Sequence, residues 1–365
     1  MITEDKLVQR IARAIPSQIG RDKDGVRLGV GDDGAILRSG GGFEWVISCD
    51  SFVEGVHFFR DIHPPDSVGY KALVRATSDL VAMGAKPSIF LLALTLHRDY
   101  TGKWLDGFLA GMGRAARLLE MRLIGGDTTV GRIISASLSV FGQVREGQAV
   151  TRSCAHRGDR IYVSGRLGRA QLGLEMLRAT VGSKIRASST TPRIVSIGHN
   201  GATLGKLLRP HLYPRIRVAL GMWLGRNRIA SAMMDLSDGL STDLGRLCEA
   251  SGVGAKLWAE QIPRVRVPQA ALGSAPRKKL DPLQMALHGG DDYELLFTVP
   301  RRNEPKVRRA SARSRKAGLP ELTCIGEIVR VTPQFRSDGG SRILLIAEDG
   351  QAKPLEPAGW DPFRK

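Results

Sequence analysis

The sequence predicts an α/β (α+β) chain of two domains, and three observations carry that prediction. Its 365 residues are 42% hydrophobic and 25% charged, the make-up of a globular protein with material for more than one core of the usual ~150 residues. Residues 26–150 alternate β-rich runs with runs of helical periodicity. A turn-rich stretch, Thr151-Arg152-Ser153-Cys154-Ala155-His156-Arg157-Gly158-Asp159, then separates that half from a fresh strand at Arg160. The division therefore falls near residue 150, with expected domains 1–149 and 150–365.

The elements follow in order. Leu7, Ile11 and Ile15 recur every four residues, an amphipathic first helix with Glu4 and Asp5 at its positive end. Strands are expected at 45–48, 89–96, 122–124 and 133–144, and helices at 67–83 and 103–119. The second half offers a strand at 160–164, helices at 169–177 and 240–250, and strands at 295–299 and 343–346. Residues 179–201, rich in Ser, Thr and Gly, read as a weakly ordered surface loop within a basic insertion around 178–220.

The formal charge of +18 invites a nucleic-acid reading, but its distribution argues otherwise. Between Glu175 and Asp235 lie ten Lys or Arg and no acid; residues 301–316 hold eight basic residues against Glu304 alone. These two segments supply nearly the whole excess, and neither interleaves aromatics as a stacking platform would, so solvated basic surfaces are the better account. Cys49, Cys154, Cys248 and Cys324 lie far apart with no C-x-x-C pair, which indicates neither a zinc knuckle nor a disulfide framework and fits a reducing cytoplasm. The N-terminus carries no basic-then-apolar signal, and no window approaches the ~18 apolar residues of a membrane span, so no membrane partner is expected.

The chemistry sits in short Gly/Ser/Asp clusters: Gly31-Asp32-Asp33-Gly34, Ser48-Cys49-Asp50, Ser78-Asp79, Gly125-Gly126-Asp127-Thr128-Thr129, Asp235-Leu236-Ser237-Asp238-Gly239 and Gly289-Gly290-Asp291-Asp292-Tyr293-Glu294. Each follows or caps a hydrophobic run, where an α/β fold exposes its functional loops. Any one of them alone reads as ordinary turn or cap chemistry. Together they offer several carboxylates on separate segments, which suits hard magnesium ions shared with phosphates. Asp235 and Asp238, three apart at a helix start, can address one such cluster. Gly29-Val30-Gly31-Asp32-Asp33-Gly34 matches G-x-G-x-x-G formally, but it opens no helix and its paired carboxylates would repel a pyrophosphate. No G-x-x-x-x-G-K-[ST] run is present, so a P-loop is excluded.

In order, these clusters, with Ser-Cys-Asp-Ser-Phe-Val-Glu-Gly-Val-His-Phe (48–58), Ser-Asp-Leu-Val-Ala-Met-Gly-Ala-Lys-Pro (78–87), Thr-Arg-Ser (151–153) and Gly-Trp-Asp-Pro-Phe (359–363), resemble thiamine-monophosphate kinases from about Gly29 to Phe363. The wider superfamily holds aminoimidazole ribonucleotide synthetase, selenophosphate synthetase and a hydrogenase-maturation protein. The resemblance implies a two-domain aminoimidazole ribonucleotide synthetase-like fold, each domain a mixed sheet packed with helices. It implies direct in-line transfer of the γ-phosphoryl group of ATP to thiamine monophosphate by a magnesium-dependent, cytoplasmic homodimer. Metal roles would fall to Asp32, Ser48, Cys49, Asp50, Asp79, Asp127, Asp235 and Asp238. ATP would meet Gly126, Asp127, Arg152 and Ser237, with Arg152 the one nominated cation and no nucleophile or general base required. Thiamine monophosphate would meet His57, Glu294 and Trp360, an aromatic face and a carboxylate that suit a thiazolium cation. The chain departs from the pattern at Cys49, where the family has threonine; a thiol is a poor magnesium ligand, although the backbone carbonyl remains available. A sister ATP-dependent synthetase would share the Asp clusters but ignore thiamine monophosphate.

Overall fold

A computed structural model describes residues 3–15, 25–185, 201–271, 280–317, 320–331 and 341–363. The first half forms a six-stranded sheet, β1 (Val26–Leu28), β2 (Ala35–Gly40), β3 (Phe43–Val53), β4 (Lys86–Leu96), β5 (Arg122–Val130) and β6 (Ser135–Arg145), in the order β1-β2-β3-β6-β4-β5. All its pairings are antiparallel except the edge pair β4–β5. Strand alternation sends Val46, Phe52, Leu138 and Val140 into the core. The helices over that face are α2 (Pro65–Ala82) and α3 (Lys103–Leu118). They cross so closely that a Cβ on Gly69 would lie 1.9 Å from the Phe108 carbonyl oxygen, so glycine is required there.

The second half is a seven-stranded sheet of β7 (Arg160–Ser164), β8 (Ala232–Asp235), β9 (Gly254–Trp258), β10 (Leu295–Val299), β11 (Leu322–Val329), β12 (Ile343–Ile346) and β13 (Ala352–Pro354). Its order is β13-β12-β9-β11-β7-β10-β8. Leu240, Leu244 and Leu247 of α7 (Leu240–Ala250), with Ala286 and Leu287 of α8 (Pro282–His288), pack on one face with Ile161 and Val163. The other face, Tyr162, Met233 and Phe297, takes α6 (Val218–Arg226) through Leu220 and Leu224 and α9 (Glu304–Ala317) through Val307. Val81 of α2 joins this second core. Fourteen of the eighteen α2 residues are buried, polar Ser67, Lys71, Thr77 and Ser78 among them, because the helix fills the joint between the halves.

Several expectations shift. The helix expected at 169–177 continues as α4 (Arg169–Ile185), and α5 (Gly201–Leu212) follows, so helix occupies part of the expected loop; residues 186–200 of it lie outside the described residues. The strand expected at 122–124 runs to Val130, which puts Gly125-Gly126-Asp127 inside β5 rather than on a loop. Gly126 allows this: its φ is +156°, and a Cβ there would lie 1.8 Å from the Leu92 oxygen, so only glycine lets β5 hug β4. The first helix, α1 (Glu4–Ala14), forms as its period predicts, but none of its residues is buried.

Candidate functional site

Three carboxylates converge at the joint. Asp33 arrives on the loop before β2, Asp79 near the end of α2 and Asp235 on the last residue of β8, and one oxygen from each lies within 4.8 Å of the others. Burial, then Asp33, pushes Asp235 up to about 7; burial, then Asp235, holds Asp79 well above the usual carboxylate range. Asp33 is raised too, by burial against the relief of Arg152. Asp33 and Asp235 each retain a buried oxygen with no hydrogen-bond partner. An unpartnered buried carboxylate is costly, so this donor set fits a hard divalent cation.

Around that centre, Ser48 donates to Asp79 at 2.5 Å, and Asp50 accepts from Arg75 at 2.9 Å. Asp32 accepts from the Arg152 backbone N–H at 3.1 Å, while the Arg152 guanidinium pairs with Asp33. Burial, then Asp33, pushes Asp32 up to about 6. Asp238 is held by Arg246 at 2.5 Å. The structure therefore groups Ser48, Asp50, Asp79 and Asp235 with Arg152, Asp32 and Asp238 at the perimeter.

It does not group Cys49. On β3 the even positions Ser48 and Asp50 face α2, so Cys49 points to the opposite, open face, where Ser139 Oγ contacts its sulfur at 3.6 Å. Gly126 and Asp127 are also remote. Asp127 is level with Ala93, then Ser137, then Ser51, three strand spacings from β3, or about 14 Å at ~4.8 Å each.

A cavity of about 360 Å³ opens beside the carboxylates, lined among others by His57, Arg75, Ser237, Asp238, Asp291 and Trp360. His57 stacks on Phe52 and accepts from the Val53 N–H at 3.0 Å; burial, then Arg75, lowers it to about 4, so it is neutral at pH 7. Trp360 is half exposed, and its backbone N–H donates to the Asp238 carbonyl at 2.9 Å, which pins the C-terminal segment against the turn before α7.

The Gly-Gly-Asp-Asp-Tyr-Glu segment divides its labour. Asp291 lies at φ +68° and Tyr293 at +49°, strain of order 1–3 kcal/mol each that is concentrated at the cavity wall. Asp291 accepts from Lys71 at 2.7 Å and from the Tyr293 hydroxyl at 2.8 Å. Burial would raise it, but the Lys71 ammonium holds it well below the usual carboxylate range, so Asp291 stands at the cavity as the ionised half of a salt bridge. Asp292 accepts from the Gly168 and Ala170 N–H groups at the start of α4. Glu294, nominated for substrate, is buried, clasped by Arg217 and bonded to Ser164 instead.

Two residues were thus missed by sequence reasoning. Asp33 and Asp291 both stand in quoted clusters, but adjacent carboxylates give no signal as to which one the turn aims inward. The next-but-two neighbour of Asp291, Glu294, carried the nomination in its place.

Family models agree with this architecture. AIR synthase related protein, N-terminal domain, matches residues 31–144, and the C-terminal domain of the same family matches 156–335. Thiamine-monophosphate kinase of Salmonella typhimurium is 38% identical over 341 residues, 93% of this chain and 92% of that protein. The chain belongs to the thiamine-monophosphate kinase family. The kinase of Bacillus subtilis is 29% identical over 93% of the chain and 94% of its own length. Among solved structures, AaThiL complexed with AMPPCP and TMP matches with a TM-score of 0.76 at 26% identity, covering 99% of this chain and 97% of that one. Thiamine-monophosphate kinase from Stenotrophomonas maltophilia matches at 0.68 and 33%, covering 95% and 96%. These matches bear out the family, the two-domain α/β class and the kinase activity read from the ordered clusters. No helix among the described residues is long and apolar enough to cross a membrane.

Proposed function

We propose that the chain phosphorylates thiamine monophosphate to thiamine diphosphate with Mg-ATP, by direct in-line transfer of the γ-phosphoryl group. The observation that carries the reading is the adjacency of the Asp33, Asp79 and Asp235 centre to a cavity with an aromatic lip, Trp360, and a fixed anion, Asp291. A related kinase in complex with AMPPCP and TMP supports both substrates. The monophosphate already carries close to two negative charges, its second pKa being about 6, so no general base is needed.

Asp33, Asp79 and Asp235, with Asp50 beside them, would hold magnesium ions. When bound, the ions neutralise the phosphates of donor and acceptor. The chain's own work is positioning: Trp360 and neutral His57 offer faces for the thiamine rings, and Asp291 offers the countercharge for a thiazolium. Arg152 stands within reach of Asp32 and Asp33 as the cation for the nucleotide. Gly126 and Asp127 on β5, about 14 Å across the sheet from β3, lie apart from this centre and take no part in it.

That strand also supports a homodimer. It is exposed along its whole length, with Leu123, Ile124 and Val130 in solvent, the kind of open edge that a second sheet covers. Four free cysteines support a reducing cytoplasm. Coupled measurement of ADP release, with chromatography of the thiamine product, tests the reading. Stoichiometric thiamine diphosphate is expected; ATP turnover or binding without that product would reject it in favour of a sister enzyme.

A further inference from the structure

A second cavity, of about 990 Å³, lies on the far side of α2 and α5 from the candidate site. Successive helix residues separate the two: Lys71 and Arg75 of α2 face the site, whereas Tyr70 and Val74 face this cavity. In α5, His211 faces the site, while Leu208 and Leu212 line the second cavity. Val74, Leu119 and Ile216 complete an apolar floor.

Its rim is cationic. Arg209 and Arg215 line it and, among the described residues, form no ion pair, and Arg114 stands beside them over the Tyr70 and Tyr213 rings at 5.4 and 5.1 Å. Among the described residues Asp66 is the one acid in the lining, and it is spoken for by Arg114 at 3.1 Å and the Tyr213 hydroxyl at 2.9 Å. Arg209 and Arg215 belong to the long stretch without acidic residues, which the kinase chemistry leaves unexplained. Two arginines without an acidic partner among the described residues, Arg209 and Arg215, set at the edge of a large apolar hollow, are what a ligand with one anionic head and an apolar body requires.

We propose that this cavity binds a small organic anion with an apolar body, such as a medium-chain carboxylate, and that occupancy adjusts substrate binding at the kinase site. The path is short. Arg217 lines the cavity and clasps Glu294, three residues from Asp291. The α5 helix is a wall common to both spaces, with His211 3.5 Å from the Lys71 ammonium that fixes Asp291. The binding half stands independently of the catalytic reading, and the coupling half rests on it.

The test uses the full chain and decanoate below its micelle concentration, with displacement of the fluorescent anion 8-anilinonaphthalene-1-sulfonate as readout and dodecylamine as the cationic control. Saturable displacement by decanoate, and none by dodecylamine, is expected. Arg215→Glu, an exposed position, should weaken decanoate at least tenfold, and Ala219→Trp, which fills the hollow from its exposed edge, should do the same. Binding that is unsaturable, equal for both amphiphiles, or unchanged in both variants overturns the site. Steady-state assays with decanoate should then shift KM for thiamine monophosphate by at least threefold in the parent and not in Arg215→Glu. An unmoved KM alongside saturable binding overturns the coupling. A chain that binds decanoate but fails to turn over thiamine monophosphate refutes the kinase reading and leaves the cavity assignment intact.

Discussion

Asp235→Asn isolates the electrostatic cost of the carboxylate centre. The carboxyl is raised in the folded chain from 3.8 to about 7, so without cations the fold is most favoured while that group is protonated. It loses this advantage as pH rises from the unfolded value through about 7. At about 1.4 kcal/mol for each tenfold change in acidity, the displacement costs the cation-free fold on the order of 4 kcal/mol above pH 7. The variant removes the charge while keeping the shape. It should therefore unfold at higher temperature than the parent at about pH 8.5 in chelator, and the gap should shrink toward about pH 5, where the parent's carboxyl is already protonated. Magnesium should reverse the order, since only the parent retains the full donor set. The assay is thermal unfolding at both pH values, with chelator and with magnesium. A variant less stable than the parent by the same margin at both pH values, with no response of the parent to magnesium, would refute the reasoning.

Asp291→Asn should raise KM for thiamine monophosphate roughly tenfold, about 1.4 kcal/mol of lost countercharge, with KM for ATP within about twofold; equal effects on both substrates would remove Asp291 from the thiamine side. Cys49→Thr should leave kcat within about twofold, because the side chain faces away from the carboxylates, and a larger change measured in steady state would place that face in the chemistry. Arg217→Met strands the buried Glu294 charge and should cost about 3–5 kcal/mol in urea unfolding, with Glu294→Gln added in the same chain recovering part of it; a loss below about 1 kcal/mol would contradict the pairing.

Periodicity made the regular elements legible. The strands at 160–164, 295–299 and 343–346 form at the residues expected, because each is a short, mostly apolar run closed by turn residues, and the helix at 240–250 because Leu240, Leu244 and Leu247 recur at helical spacing. The misses have a common cause in packing between elements. Gly125-Gly126 reads as a loop, yet glycine is what allows β5 to lie against β4. Ser78-Asp79, within the helix expected at 67–83, lies inside α2, where the enclosure of that helix between the sheets brings Asp79 to the joint. Site residues were legible as clusters and illegible as individuals. Of Asp32 and Asp33, the structure brings Asp33 to Asp79 and Asp235 and leaves Asp32 on the Arg152 backbone N–H, while left-handed Asp291 and Tyr293 turn one acid to the cavity and leave Glu294 to Arg217.

The carboxylate centre also spans the two halves of the chain. Asp33 and Asp79 come from the first sheet and its helix, whereas Asp235 ends the second sheet's edge strand. Their mutual repulsion therefore acts across the joint and spares the interior of either core, each with its own apolar cluster. A cation shared by all three would convert that repulsion into a tether. Amide exchange should register the difference locally: magnesium should slow exchange at the last turn of α2 and along β8, leaving β11, in the middle of the second sheet, unchanged. Uniform slowing of β11 and β8 together would mean that the ion stabilises the second domain as a whole, and the joint would then owe its rigidity to α2 packing alone.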